Sequence, residues 1–285
     1  MVSKEGRDIF KIGIVGNGFV GSSIASGFSL HFEVKIFDVN PQRSTHSLDD
    51  TVNDSDVIFL SVPTPMRLAS GEIDLGILDD IIDKISEINK REDNVLVIKS
   101  TVVPGTIEKY ADQNPNLNIV FSPEFLTERA ARLDFINASR VVLGGDKKDI
   151  NKVEAVFRVR FPYIRIIKTD VTTAQFIKYM ANCFFSTKIS FMNEMLQAAE
   201  ALNVDWNVAM EGFISDGRVG NSHLEVPGHD GSRGFGGKCF PKDLNAFICK
   251  LSDVGVKPTV LQAVWDKNME VRKNYDWLNI DGATS

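Results

Sequence analysis

Residues 9–21 read IFKIGIVGNGFVG, and this stretch decides the fold that we predict for the chain. Ile9–Val15 is typical of a short buried strand, and the sequence after residue 21 continues as a helix. The loop between them has the pattern G-x-G-x-x-G. Gly16 makes the tight turn, Gly18 lets a diphosphate approach the backbone, and Gly21 allows the helix to pack closely on the strand. The glycines alone are weak evidence, but strand, loop and helix together predict a dinucleotide site.

The next strand, Glu33–Phe37, ends at Asp38, which lies 22 positions after Gly16. In dinucleotide-binding folds an acidic residue at about this spacing holds the 2′-hydroxyl of the adenosine ribose. A carboxylate there repels a 2′-phosphate, so we expect NAD rather than NADP. Arg43 is the one nearby residue that argues for NADP, and an ordinary turn residue is the alternative interpretation of Asp38.

Strands and helices continue to alternate through the first half of the chain, as expected of a doubly wound parallel sheet. The link from Asn40 to Asp56 is short for a helical crossover, so we expect it to be abbreviated. Helices are predicted over 73–88 and 150–159 from the spacing of apolar residues. The further strands are predicted at Val57–Val62, Asn94–Lys99, Asn118–Phe121, Arg140–Leu143 and Tyr163–Ile167.

From Val171 the pattern changes to helix, with no clear strand until the end of the chain. Residues 174–202 carry apolar side chains nearly all round and contain no proline or glycine over 29 positions. A helix of that length, about 43 Å, belongs in a core or a subunit interface. The predicted fold class is α/β: a Rossmann-like doubly wound parallel sheet, residues 1–168, followed by an all-helical domain, residues 169–285, with a long central helix.

The composition limits the classes of protein to consider. A net charge of −6 and a pI near 5.3 argue against a nucleic-acid or anionic-membrane surface. We find no signal peptide and no apolar run of membrane-spanning length, so we expect a cytoplasmic protein. Three cysteines without metal-ligand spacing indicate free thiols in a reducing compartment and no metal site.

Residues 234–243, GFGGKCFPKD, place one thiol between a glycine-rich loop and the first turn of a predicted helix. Pro241 suits that first turn. Cys239 then lies near a helix N-terminus, with Lys238 and Lys242 beside it, and such a position favours the nucleophilic thiolate. A small buried hydrophobic residue is the commonest role of a free cysteine. The flanking glycines and charges favour a catalytic nucleophile instead.

This segment resembles the active-site segment of the UDP-glucose/GDP-mannose dehydrogenase family, and the resemblance extends over essentially the whole chain. It implies NAD as cofactor and a nucleotide sugar as substrate. Full members of the family carry a second α/β domain after the central helices, which holds much of the nucleotide. We therefore keep three alternatives: a compact enzyme, one half of an enzyme completed by a second chain, and a truncated product.

Further motifs resemble the family at predicted strand ends. Val62–Pro65 matches a segment that lines the cofactor cleft, and a simple strand-end breaker is the alternative. Thr101 follows the strand at 94–99, at the edge where such folds place ligands, and a helix-capping threonine is the alternative. The residues predicted to bind NAD are Gly16, Gly18, Phe19, Val20, Gly21, Asp38, Val62, Pro63, Thr64 and Thr101.

Glu124 and Glu128 are four residues apart and would share one face of a helix. The resemblance implies that these acids lie beside the sugar and help to activate water, while the backbone of Phe125 and Leu126 contacts the nucleotide. Solvated surface glutamates are the alternative interpretation.

On the long helix, Lys178 and Asn182 have i, i+4 spacing. A lysine among apolar residues is costly to bury unless an anion accompanies it. The resemblance implies that both side chains bind the substrate and stabilise an oxyanion at the oxidised carbon. Gln175 stands where the family usually has glutamate, so a charge at that position is not expected here.

Two further residues are assigned through the resemblance. Arg218, in the segment 215–220, corresponds to an arginine that reaches the substrate site of a neighbouring subunit, which predicts a homodimer through the helical domain; a surface arginine is the alternative. Gly236 is expected to bring its backbone close to the substrate.

These residues suggest an NAD-dependent oxidation of the C6 alcohol of a nucleotide sugar to a carboxylate. Cys239 would attack the intermediate aldehyde, Lys178 and Asn182 would hold the oxyanion, and Glu124 or Asp243 would act as base, with Thr101 positioning water. A β-hydroxyacid dehydrogenase, which needs no thiol, is the alternative enzyme. A non-catalytic NAD-binding scaffold is the alternative outside enzymes.

Overall fold

The computed structural model describes residues 10–127 and 129–285, which form two compact units. The first unit takes in the described residues up to Thr64 together with Leu75–Lys178. The second consists of the excursion Pro65–Asp74 and of Tyr179–Ser285. The domain boundary at residue 168 stays a prediction, and the sequence analysis did not predict the excursion into the second unit.

The first unit is built on one seven-stranded sheet with the order β2-β1-β3-β4-β5-β6-β7. Its strands are β1 (Lys11–Val15), β2 (Glu33–Phe37), β3 (Val57–Leu60), β4 (Val95–Ile98), β5 (Asn118–Phe121), β6 (Arg140–Gly145) and β7 (Arg165–Thr169). The central strands are buried on both faces, which is why they are continuous apolar runs. In β3, Val57 and Phe59 join one hydrophobic cluster while Ile58 and Leu60 join the other.

One feature of the sheet corrects the prediction of an all-parallel arrangement. β6 runs antiparallel to β5, and β7 runs parallel to β6. Antiparallel neighbours need no crossover helix over the face of the sheet, and among its described residues the segment between β5 and β6 contains only a six-residue helix. The sheet is therefore mostly, not wholly, parallel.

In the part of the first unit that the structure describes, six helices lie wholly within the unit. The abbreviated link between Asn40 and Asp56 holds a 3-10 turn, Pro41–Arg43, and the short α2. Ser47 caps α2 by accepting a hydrogen bond from the backbone N–H of Asp50. The helices are α1 (Phe19–Phe28), α2 (Leu48–Asn53), α3 (Gly76–Ile88), α4 (Thr106–Gln113), α5 (Ala131–Ile136) and α6 (Lys147–Arg160).

The remaining helices are α7 (Val171–Leu202), α8 (Trp206–Ile214), α9 (Phe240–Asp253) and α10 (Thr259–Val271). α7 has 32 residues, about 48 Å, and its eight first residues belong to the first unit. Between Tyr179 and Ser285 there is no strand beyond an isolated bridge of Thr284 to Met66. The predicted fold class, a Rossmann-like sheet domain followed by helices that include one long central helix, is confirmed.

None of the helices within residues 10–127 and 129–285 combines the length and the apolar character needed to cross a bilayer.

Candidate active site

The glycine loop after β1 has the geometry that its pattern predicts. Gly16 has a φ of +87°, and a Cβ there would lie 2.4 Å from the carbonyl oxygen of Ser61. A Cβ on Gly21 would lie 1.9 Å from the carbonyl oxygen of Gly16. Both positions therefore demand glycine because of the protein's own packing.

Gly18 differs, because a Cβ there would meet nothing within 4 Å. It precedes α1, whose first turn contains Phe19 and Val20, has no acidic residue and receives no side-chain cap. The first backbone N–H groups of a helix have no partner within the helix. A diphosphate fits this arrangement, since its charge is favoured at a helix N-terminus and the missing side chain leaves room for it.

The Asp38 carboxylate ties the glycine loop to the end of β2. One oxygen accepts a hydrogen bond from the backbone N–H of Asn17 at 2.6 Å, and the other accepts from that of Asn40 at 2.8 Å. A carboxylate has about four acceptor sites, so it can still receive a ribose hydroxyl. Arg43 is exposed, and its carbonyl accepts from the Asn17 side chain at 2.8 Å.

The segments after β3 and β4 are bonded to each other at the carboxyl edge of the sheet. The Ser100 hydroxyl donates to the carbonyl of Val62 at 2.8 Å and accepts from its N–H at 3.0 Å. The Thr64 hydroxyl donates to the carbonyl of Thr101 at 2.9 Å. The predicted cofactor residues Val62–Thr64 and Thr101 therefore lie side by side in the first unit.

A buried ion pair joins two predicted site residues of the first unit. Lys178 Nζ lies 2.9 Å from Glu124 Oε1 and donates to the Glu124 carbonyl at 2.7 Å. The side chains are only 3% and 7% exposed. Glu124 is thus the anion that the burial of this lysine requires.

Glu124 does not lie on a helix, so the condition under which it would share a helix face with Glu128 is not met. Glu124 lies in an irregular segment between β5 and α5, where its Oε2 accepts from the N–H of Leu126 at 2.6 Å. Such a local bond from a side chain to the backbone competes with helix formation. Phe125, on the same segment, stacks under Arg140 at 4.2 Å from the ring centroid. Glu128 lies outside the described residues.

Lys99 is a buried lysine of the first unit that sequence reasoning did not single out. It follows β4, is 7% exposed, and donates to the Ser122 hydroxyl at 3.0 Å and the Pro123 carbonyl at 3.1 Å. Burial lowers the pKa of Lys99 from 10.5 to about 7; the charge of Lys178 also lowers it, and that of Glu124 opposes the shift. The available signal was a lysine directly after the apolar run VLVI.

Because of Lys99, folding stability should depend on pH. The pKa of Lys99 is lower in the folded than in the unfolded chain, so the unfolded chain binds more protons between about pH 7 and 10.5. The contribution that this pKa difference makes to the free energy of unfolding is present at high pH and is lost as the pH falls toward 7. We compare the free energy of unfolding of Lys99→Met with that of the unchanged chain at each pH. The difference should favour Lys99→Met more at pH 7 than at pH 9, and urea unfolding at both pH values measures it.

The control is Lys148→Met, at an exposed position of α6, which should keep the pH dependence of the unchanged chain. If Lys99→Met and the unchanged chain differ by the same unfolding free energy at pH 7 and pH 9, the depressed pKa of Lys99 is refuted.

Gln175, where the family usually has glutamate, is fully buried and faces an acid. Its Nε2 donates to Glu108 Oε2 at 3.0 Å. Burial by itself would raise the pKa of Glu108, but hydrogen bonds from Thr172 and Gln175 hold it below its ordinary value. A glutamate at 175 would oppose Glu108, so the neutral side chain suits this site.

The second unit contains a separate polar cluster around Asp243, which is 1% exposed in the first turn of α9. Its Oδ2 accepts from Asn182 Nδ2 at 2.5 Å, and its Oδ1 accepts from Lys242 Nζ at 2.6 Å. Burial, together with the negative charge of Asp243, raises the pKa of the Cys183 thiol well above its ordinary value. Cys183 is therefore an inert thiol.

Cys239 is half-buried and directly precedes α9, with Pro241 in the first turn. Its carbonyl accepts from the N–H of Asp243 at 2.8 Å. The thiol is therefore attached at the positive end of a helix dipole, a position that favours negative charge on a side chain. The third cysteine, Cys249, is half-buried further along α9, and its Sγ lies 3.3 Å from the carbonyl oxygen of Ser70.

Arg218 lies in the loop between α8 and α9 with its side chain 90% exposed. Its Nε is 2.9 Å from Asp216 Oδ1, so the guanidinium pairs within its own loop. Its role toward a neighbouring subunit stays a prediction.

Space for a ligand at Gly18 and an acidic residue directly after β2 are features of the dinucleotide-binding domain of oxidoreductases. The first unit therefore assigns the protein to that class. The NAD-binding-domain model of the UDP-glucose/GDP-mannose dehydrogenase family matches residues 42–160, and its central-domain model matches residues 172–270. The chain belongs to this family. The glycine loop precedes the matched residues, so its assignment to the cofactor rests on its geometry.

Relatives and solved structures agree with this result. The UDP-glucose 6-dehydrogenase of Rickettsia conorii (strain ATCC VR-613 / Malish 7) is 31% identical over 92% of this chain and 67% of its own length. That of Rickettsia bellii (strain RML369-C) is 34% identical over 80% of this chain. The structure of a UDP-glucose dehydrogenase from Pyrobaculum islandicum has a TM-score of 0.81 and 25% identity, covering 95% of this chain and 70% of that one.

The chain spans 67% of the first relative's length and only 52% of the second's. The prediction of an NAD-dependent nucleotide-sugar dehydrogenase is confirmed at the level of the family. Family membership favours it over the β-hydroxyacid dehydrogenase alternative.

Proposed function

We propose that this protein oxidises the C6 alcohol of a nucleotide sugar of the UDP-glucose type to the carboxylate, with NAD as the oxidant. One observation carries the proposal: a chain of this family places Cys239 at the start of α9, followed by the buried acid Asp243. A thiol is not needed to convert an alcohol to an aldehyde, but it provides a covalent route from aldehyde to acid.

NAD is the form of the cofactor that the first unit suits. Gly16, Gly18 and the first turn of α1 would hold the diphosphate, and Asp38 would receive the ribose hydroxyls and repel a 2′-phosphate. Val62–Thr64 and Thr101 would line the cofactor's side of the cleft. When bound, NAD accepts a hydride, and removing four electrons from an alcohol requires two molecules of it.

The covalent step belongs to Cys239. Its thiolate forms a bond from Sγ to the aldehyde carbon as the C=O π bond breaks, and the oxygen, first an alkoxide, takes up a proton to give a thiohemiacetal. Loss of a hydride from that carbon gives a thioester, and water then displaces the thiol, giving the carboxylate and returning Cys239 to its starting state. Atoms and electrons balance with one water and two hydrides per alcohol.

Charged and neutral polar side chains stabilise the oxygen atoms of these intermediates. Lys178 and Asn182, one turn apart on α7, donate to the oxyanion. Glu124 or Asp243 accepts the protons released from the alcohol and from the attacking water, and Thr101 positions that water. The Phe125 and Leu126 backbone, Glu128 and Gly236 are the proposed contacts to the nucleotide sugar.

A second copy of this chain is the partner that we propose, through the helical domain. Exposed apolar side chains recur on α7 with helical spacing, and α8 has no buried residue although it is largely apolar. Faces of this kind are typical of subunit interfaces. Arg218 would then reach the neighbouring subunit's substrate. The exposed large apolar residues of α7 are Phe176, Met180, Phe184, Phe191 and Leu202.

The function is tested by following NADH formation with NAD and a panel of substrates: UDP-glucose, GDP-mannose, related nucleotide sugars and simple 3-hydroxy acids. Turnover of a nucleotide sugar supports the proposal, and turnover of a hydroxy acid alone refutes it. If the protein binds NAD but turns over no substrate, the proposed function fails for this chain alone. Turnover that appears only when a second chain is added would then identify one half of a split enzyme.

A further inference from the structure

The loop that precedes Cys239 is held by side chains from the far end of the chain. Asn268, fully buried on α10, binds both polar groups of Phe235: its Oδ1 accepts from the Phe235 N–H at 2.7 Å, and its Nδ2 donates to the Phe235 carbonyl at 3.1 Å. A side-chain amide that binds one residue at two points fixes its orientation as well as its position.

Two further backbone N–H groups of the loop, those of Gly234 and Gly237, are also bound by side chains. The N–H of Gly234 donates to Asn193 Oδ1 at 3.2 Å, and the N–H of Gly237 donates to Asp276 Oδ2 at 3.1 Å. Buried backbone groups outside helices and strands must find such partners. Three side chains from two parts of the chain therefore supply the hydrogen bonds that this loop cannot make internally.

Arg272 forms ion pairs with Asp230 and with Asp276, the residue that binds the Gly237 N–H. Arg272 lies four residues after Asn268, is 2% exposed, and places Nη2 2.7 Å from Asp230 Oδ2 and 3.0 Å from Asp276 Oδ1. Its Nε donates to the carbonyl of Asn274 at 2.8 Å. A planar guanidinium with several fixed donors suits this task, which a flexible lysine would not perform.

The glycines of the loop are explained by these neighbours. A Cβ on Gly234 would lie 2.4 Å from Asn268 Oδ1, and one on Gly236 would lie 2.2 Å from Asp276 Oδ1 and 2.3 Å from Arg272 Nη2. The sequence interpretation assigned these glycines to close approach of a ligand. The side chains of Asn268, Arg272 and Asp276 already leave no room for a Cβ at Gly234 or Gly236, so the loop and these side chains fit each other closely.

We infer that Asn268 is a positioning residue for the Cys239 thiol, acting through the backbone of residues 234–237, and that Arg272 and Asp276 complete the same clamp. Two residues separate Gly237 from the start of α9, so a shift of the clamped loop carries directly to Cys239. The part of this inference that concerns turnover rests on the proposed function. The part that concerns access to the thiol does not.

Two variants test the clamp. Asn268→Asp keeps the acceptor for the Phe235 N–H but sets a carboxylate oxygen against the Phe235 carbonyl. Asp276→Ala removes the acceptor for the Gly237 N–H at a side chain that is 28% exposed, and it therefore perturbs the buried core less. Ser190→Ala is the matched control, because its hydroxyl donates to the carbonyl of Val264 on α10 and does not touch the loop.

The first readout is alkylation by iodoacetamide, followed by peptide mass spectrometry. In both clamp variants Cys239 should react about fivefold faster, since loosening the loop populates open states of a half-buried thiol. Cys249 in the same molecules should react at an unchanged rate and serves as the internal reference. Ser190→Ala should leave both rates unchanged.

The second readout is turnover of a nucleotide sugar. Both clamp variants should form acid about 10²-fold more slowly, the scale of a misplacement near 1 Å. NADH per sugar should fall from two toward one, with the aldehyde trapped by semicarbazide and KM unchanged. If the unchanged enzyme turns over no nucleotide sugar, the proposed function fails and the alkylation rates alone decide. If Cys239 reacts alike in the clamp variants and in Ser190→Ala, the inference is overturned.

Discussion

Cys239→Ser should abolish formation of the sugar acid. A serine hydroxyl at this position is a far weaker nucleophile than a thiolate at a helix N-terminus. We expect the rate of acid formation to fall by about 10³-fold or more, the scale found when a covalent nucleophile is removed. The measurement is the carboxylate product, quantified by mass spectrometry after incubation with NAD and UDP-glucose.

Cys249→Ser is the matched control, since it makes the same substitution at a half-buried thiol on the same helix. It should retain the activity of the unchanged enzyme. Acid formation by Cys239→Ser at the unchanged rate would rule out the covalent mechanism. The remaining route would be direct oxidation of the alcohol, followed by direct oxidation of the aldehyde hydrate.

Lys178→Met should destabilise the first unit strongly. The substitution leaves the Glu124 carboxylate, 7% exposed, without its cation. Breaking a buried ion pair from one side costs about 3–5 kcal/mol in the free energy of unfolding, mostly through the charge left behind. Denaturant unfolding at pH 7 measures the change, and Lys90→Met provides a surface comparison.

Lys90 pairs with Asp49 at 3.2 Å, with the two side chains 73% and 51% exposed, and such pairs contribute about 0–1 kcal/mol. The double variant Lys178→Met with Glu124→Gln should recover part of the lost stability, because the unpaired charge is gone while an acceptor for the Leu126 N–H remains. Equal losses of unfolding free energy in Lys178→Met and Lys90→Met would show that breaking the buried ion pair costs no more than breaking the exposed one.

The elements that the sequence predicts well are those with local signals. The strand Lys11–Val15 and the glycine loop at residues 16–21 were recognisable because the turn at Gly16 and the packing at Gly21 each demand glycine, whereas Ile9, where we predicted the strand to begin, lies outside the described residues. The long helix was recognisable because 29 successive positions lack a helix breaker. The strand Asn118–Phe121 has the predicted bounds.

What the sequence did not predict depends on distant contacts. The direction of β6 is set by how the chain returns to the sheet, and no residue within the strand encodes it. Lys99 is recognisable as a buried lysine only when Ser122 and Pro123 lie against it, over 20 positions away. In the sequence, Asn268 and Arg272 are ordinary polar residues on and directly after a helix. Only the structure shows that residues 230–237 pack against them.

A subtler case is the glycine-rich segment before Cys239. Its glycines predict a functional loop, and that role stays a prediction, but close approach of a ligand is an incomplete reason for the glycines. The required absence of side chains at Gly234 and Gly236 is set by Asn268, Arg272 and Asp276. A local motif can therefore mark a site while the physical cause of its composition lies elsewhere in the chain.

The most direct test of the proposed four-electron oxidation is the number of NADH molecules formed per UDP-glucose consumed by the purified protein at limiting substrate. Two NADH, with the uronic acid as sole sugar product, is the predicted result. One NADH per sugar, with the aldehyde as the end product, would contradict it.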